Sequence, residues 1–140
     1  MVDALDEARR VLKPNGILVD LRPIICRPAI EIAVDDTVRQ IGNVDDSSAA
    51  SDSAAADQAI QTMVHTRSFA PVRKGEFFFE YYWDSVAEMS DYLATRRHRM
   101  HSIPSTAVLN RIFDTVASAI QNVKLRCLWR IQLNSYKRAM

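Results

Sequence analysis

Glycine is scarce in this 140-residue chain: there are three, Gly16, Gly42 and Gly75, and none stands in a G-x-G context. A glycine-rich turn that lets backbone amides approach a phosphate or pyrophosphate is therefore missing. Cysteine is also sparse. Cys26 and Cys127 lie far apart, no CxxC or Cys/His ligand spacing occurs, and both are read as free, buried thiols. No apolar run approaches the ~20 residues that span a bilayer. The start, MVDALDEARR, is acidic and amphipathic, without a basic leader and apolar signal core. These absences place the expected protein in the cytoplasm, without a membrane segment.

What is present suits a globular domain: 48% hydrophobic and 25% charged residues. The net charge of +1 conceals an asymmetry, since residues 96–140 carry nine Lys/Arg and one acid, Asp114, against nine and sixteen in residues 1–95. Such a split raises the question of a polyanionic partner.

Periodicity predicts the order α-β-β-β-α-β-α-α-β. Residues 3–13 place Ala4, Leu5, Ala8, Val11 and Leu12 on one helical face, and Pro14-Asn15-Gly16 ends it, with Gly16 suited to a left-handed exit. Ile17–Leu21 is apolar at nearly every position, the pattern of a parallel strand covered on both faces. Residues 29–42 read as a hairpin turning at Asp35-Asp36. The low-complexity stretch 44–56 is expected to begin as a mobile loop and to open a helix at Ser51, Asp52 or Ser53, with the stripe Ala56, Ala59, Ile60, Met63 and Val64. Glu76–Trp83 is an aromatic strand. Its rings are read as core on one face and helix-covered on the other, in preference to a base-stacking platform. Ser85 and Glu88 form a capping box for a helix to about Arg97, and a further helix runs from Ile103 through Gln121. In the last strand, 124–134, Leu125, Cys127, Trp129, Ile131 and Leu133 alternate with polar residues and are expected to face a core.

The segment Glu7–Val19, EARRVLKPNGILV, resembles the late motif of class I S-adenosylmethionine-dependent methyltransferases, in which a helix ends in an R-x-L-K-P-G-G turn that feeds the fifth strand of the sheet. Gly16 matches the second glycine of that turn, and Asn15 replaces the first. Downstream, the strand ending in Tyr/Trp, the segment Asp84–Met89, a long helix and a basic final strand are similar to that family's C-terminal layout, where the last two strands form an antiparallel pair beside strand five. The resemblance implies an α/β (or α+β) fold, a mixed sheet of about five strands with helices packed on it. It makes 1–140 a single methyltransferase-C-terminal-like domain, with 29–66 an inserted hairpin, loop and helix. It also implies that the Gly-rich, cofactor-binding half is lacking. No S-adenosylmethionine binding or methyl transfer is then expected of the isolated chain, unless a partner supplies that half.

Candidate contacts for a substrate or partner are Asp20 and Arg22 at the end of the strand, where α/β sheets place their sites. Arg96, Arg97, Arg126 and Arg130 in the basic third are further candidates. Arg96-Arg97-His98-Arg99 and His101 suit phosphate, but cations at a helix C-terminus also complement the dipole, and the latter reading is preferred. Arg126 and Arg130 suit nucleic acid, but pairing with Glu76 and Glu80 on a neighbouring strand is preferred. His65, His98 and His101 lack partners at metal-ligand spacing. An uncovered edge on strand 17–21 predicts a homodimer, or a partner subunit, that covers it.

Overall fold

The computed structural model describes residues 2–96 and 105–139, the side chains of Val2 and Arg96 excepted. It contains helices α1 (Val2–Val11), α2 (Ala50–His65), α3 (Val86–Arg96) and α4 (Thr106–Ala117). The strands are β1 (Ile17–Pro23), β2 (Ala29–Val34), β3 (Thr37–Asn43), β4 (Phe69–Trp83) and β5 (Val123–Arg138). The predicted order of elements is the observed one. The fold is a five-stranded sheet with four helices, in which β5 pairs β1, β2 and β4, and β2 also pairs β3. The β1–β5, β2–β3 and β2–β5 pairings are antiparallel, so strand 17–21 is not the parallel strand expected from its composition. Among the described residues no helix is long and apolar enough to cross a membrane.

The chain divides into two compact units, and β4 and β5 each contribute a segment to both. The first comprises residues 1–24, 50–77 and 131–140. Its core is Met63, Phe69 and Tyr136, against which Leu5, Leu12, Leu18, Ile60 and Val64 pack. The amphipathic stripes of α1 and α2 supply Leu5, Ile60, Met63 and Val64, as their 3.6-residue period requires. The turn after α1 differs from expectation in one detail. Asn15, not Gly16, takes the left-handed conformation (φ 66°). Gly16 is needed for close approach instead, because a Cβ there would sit 2.8 Å from the Lys13 carbonyl oxygen. The turn is tied to the end of β5 by the Arg138 amide, which donates to the Gly16 carbonyl at 2.8 Å, and by the Arg138 guanidinium on the Leu12 carbonyl.

The second unit comprises residues 25–49 and 78–130. Ile30, Val44, Val86, Met89, Leu93, Leu109, Leu125, Cys127 and Trp129 are its most deeply buried apolar side chains. Half of the predicted capping box of α3 is present: the Glu88 amide donates to Ser85 Oγ at 3.1 Å, while the Glu88 carboxylate accepts from the amide of Asp84, one residue before the cap, at 3.0 Å. The stretch predicted as a mobile loop is anchored, since Val44 and Asp46 are both fully buried. Asp46 accepts from the Cys26 amide at 3.0 Å and the Arg27 amide at 3.1 Å, joining two loops some twenty residues apart, while its carbonyl accepts from the Ala49 amide. A 3-10 turn at Ser47–Ala49 leads into α2, which therefore begins before the predicted serine and aspartate caps. Neither cysteine is in a disulfide; Cys127 is buried as expected, and Cys26 is exposed.

Two strands depart from the sequence pattern. β4 starts at Phe69 rather than Glu76, and it contains Pro71 and Gly75, residue types that ordinarily interrupt a strand. Its aromatic run is also less covered than expected. Trp83 is buried and stacks on Tyr81, but Phe77, Phe78, Phe79 and Tyr82 remain exposed. In β5 the alternation changes phase: Leu125, Cys127 and Trp129 are buried, whereas Leu133 is exposed and Tyr136 is buried. Ile131 and Leu133 thus do not continue the buried row. In the first unit the covered face is the one carrying Gln132, Asn134 and Tyr136, and these polar residues line a cleft there.

Candidate functional site

β1 presents two different faces because alternate side chains point to opposite sides. Ile17, Val19 and Leu21 are about half exposed (48%, 56% and 56%), so this strand is not covered on both faces. Leu18, Asp20 and Arg22 share the other, more sheltered face. Arg22 and Asp20, two residues apart, pair through two bonds, Nε to Oδ1 at 2.6 Å and a terminal nitrogen to Oδ2 at 2.8 Å. The same guanidinium reaches α2, donating to Asp57 Oδ1 at 2.6 Å and to the Ser53 carbonyl at 3.1 Å. Its fork geometry serves both carboxylates, which a lysine could not do. The Asp20 hydrogen bond, strengthened by Asp57, holds the Arg22 pKa well above its ordinary value.

Gln132 and Asn134 on β5 stand opposite Arg22 and Asp20 in the strand register. Oriented with its oxygen toward Arg22, the Gln132 amide accepts from the guanidinium at 2.8 and 3.3 Å. Asn134 Nδ2 lies 3.5 Å from Asp20 Oδ2. Beside this network lies a cleft of about 540 Å³, lined by Asp57 and Gln61 of α2, Lys74 and Glu76 of β4, and Gln132, Asn134 and Tyr136 of β5. Tyr136 is 7% exposed, and burial, followed by the negative charge of Asp20, raises its phenol pKa above the ordinary value.

Replacing Arg22 with methionine leaves two carboxylates facing each other without their shared cation. We expect a loss of about 2 kcal/mol in urea denaturation, discounted from a fully buried pair because Asp57 is half exposed. Arg22→Lys should recover only part of it.

The remaining sequence candidates are distributed otherwise. Arg126 is held by two carboxylates of its own unit, Glu31 at 2.7 Å and Glu80 at 2.9 Å, so the preferred pairing with Glu80 is present. Arg130 is exposed on the same strand. Arg97, His98, Arg99 and His101 lie outside the described residues, as does the side chain of Arg96. Among the described residues no group of three His, Cys, Asp or Glu is placed to hold a metal ion. Sequence reasoning picked Asp20 and Arg22 but missed Asp57, Gln132, Asn134 and Tyr136. Their partnership is set by the packing of α2 and the β1–β5 register, and the only local signal was polar residues alternating in the last strand. Comparison of the chain with protein-family models, with curated protein sequences and with solved structures finds no match.

Proposed function

We propose that this chain is a methyltransferase-like remnant or accessory subunit that acts through protein association and does not transfer methyl groups on its own. The observation that carries the reading is the condition of β1. Its strand partner among the described residues is β5 alone, which leaves its other edge open, and Ile17, Val19 and Leu21 are exposed along it. An open edge with apolar side chains and no lysine on that face is a template for another strand. The resemblance implies that the last strands lie beside strand five, and a β5 paired with β1 supports the reading. The occupant we assign is a second copy. An antiparallel pairing of two β1 edges about a two-fold axis sets Val19 near its own counterpart and covers one flank of the same three residues in both copies.

Light scattering of the purified chain at micromolar concentration tests this, with a dimer expected; a monomer would overturn the second-copy assignment. Titration calorimetry with S-adenosylmethionine should give no binding heat, and micromolar binding by the chain alone would overturn the non-catalytic reading. The same open edge favours a second reading, half of a split S-adenosylmethionine-dependent methyltransferase. In that case a separate chain with a Gly-rich turn, added to this one, confers cofactor binding that neither has alone.

A further inference from the structure

We propose that the cleft of the first unit binds a small, neutral, polyhydroxylated molecule, a sugar in chemical class. This does not depend on the association reading. Three features of the lining point to it.

The first is Tyr136. Its side chain is more than nine-tenths buried and lines the cleft. Its hydroxyl is not among the buried polar atoms left without a partner, so the oxygen is open to the cleft, where it can both donate to and accept from a bound molecule. The second is the amide content. Gln132 and Asn134 precede Tyr136 in the same row of β5, and Gln61 faces the cleft from α2. Amides offer donors and acceptors side by side, as vicinal hydroxyl groups do, and Ile60 with the Tyr136 ring gives an apolar wall for the C–H face of a sugar ring.

The third is charge. Arg22 is shared between Asp20 and Asp57, and Lys74 and Glu76 are of opposite sign two residues apart on β4. The one excess negative charge turns away an anion, and no group of three carboxylates or other ligands among the described residues is placed to hold a metal cation. Gly75 between them carries no side chain to fill the space. A volume of about 540 Å³ falls within the range of small-molecule sites and is ample for one sugar ring.

The test is a titration of the isotope-labelled full chain with D-ribose and D-glucose, read in side-chain and backbone amide NMR signals, with the zwitterion glycine betaine, which has no hydroxyl groups, as the comparator. Saturable shifts are expected at the side-chain amides of Gln61, Gln132 and Asn134, with a Kd of about 1 mM, the scale for a small polar ligand. Tyr136→Phe, which removes only the hydroxyl, should weaken binding about tenfold while leaving the spectrum folded, the equivalent of one hydrogen bond. Should Tyr136→Phe perturb the fold, Gln61→Leu at an exposed position provides the same comparison. No saturable shift with either sugar, shifts confined to other regions, unaltered affinity in the folded variants, or stronger binding of the betaine would each overturn the proposal.

Discussion

Replacing Asp46 with alanine is expected to lower the unfolding free energy by about 3 kcal/mol, and the melting temperature by about 10 °C. The carboxylate is fully buried and accepts from two backbone amides, those of Cys26 and Arg27. Hydrogen bonds to a charged group contribute roughly 1.5–3 kcal/mol each, and both amides lose their acceptor at once. Arg27 adds a local demand: its backbone is left-handed (φ 55°), a conformation that costs a non-glycine residue energy and that the Asp46 clamp helps to hold. Asp46→Asn retains one acceptor oxygen and should lose about half as much. Thermal melting followed by circular dichroism decides between these outcomes. Equal, small losses in both variants would mean that the turn holds itself.

The second large effect concerns association. Val19→Lys should weaken dimerisation a hundredfold or more, because it brings two ammonium groups together at the centre of a two-fold β1 pairing and removes apolar burial from both copies. Val19 is 56% exposed within the chain, so the folded protomer should melt at nearly the same temperature. Sedimentation velocity over a concentration series checks the first statement, and the melt checks the second. A variant that stays dimeric places the contact elsewhere, with the exposed aromatics of β4 next in line.

Much of the architecture was legible because helices and strands announce themselves through period. The stripe Ala56, Ala59 and Met63 of α2 is buried, as are Val86, Met89 and Leu93 of α3, and the hairpin turns at Asp35-Asp36. The failures have physical causes. The composition of Ile17–Leu21 suggests cover on both faces, but composition reports the tendency to be buried and not whether a neighbour exists. The alternation carries the expected buried row on through Ile131 and Leu133, because a period of two has no mark at the position where cover shifts from one face to the other. Asp46 sits among serines and alanines that look like a linker, and its two amide partners come from a loop twenty residues earlier. At the candidate site, Asp20 and Arg22 could be chosen because they end a strand. Asp57 lies thirty-five residues beyond Arg22, and the ion pair between them exists only once α2 has packed.

The first unit is assembled from three stretches of chain, and its last, 131–140, is separated from β1 by the whole of the second. β1 needs that stretch, because residues Ile131–Lys137 are its strand partners. During synthesis the ribosome reaches them roughly a hundred residues after β1, a delay of about 5–20 s at ordinary elongation rates. Throughout that interval β1 is unpaired on both edges, with Ile17, Val19 and Leu21 accessible to any other nascent strand. The second unit, whose segments end at Arg130, can complete itself first. The yield of soluble protein should therefore depend on how fast residues Ile131–Lys137 are translated and on chaperones that shield β1 until they arrive.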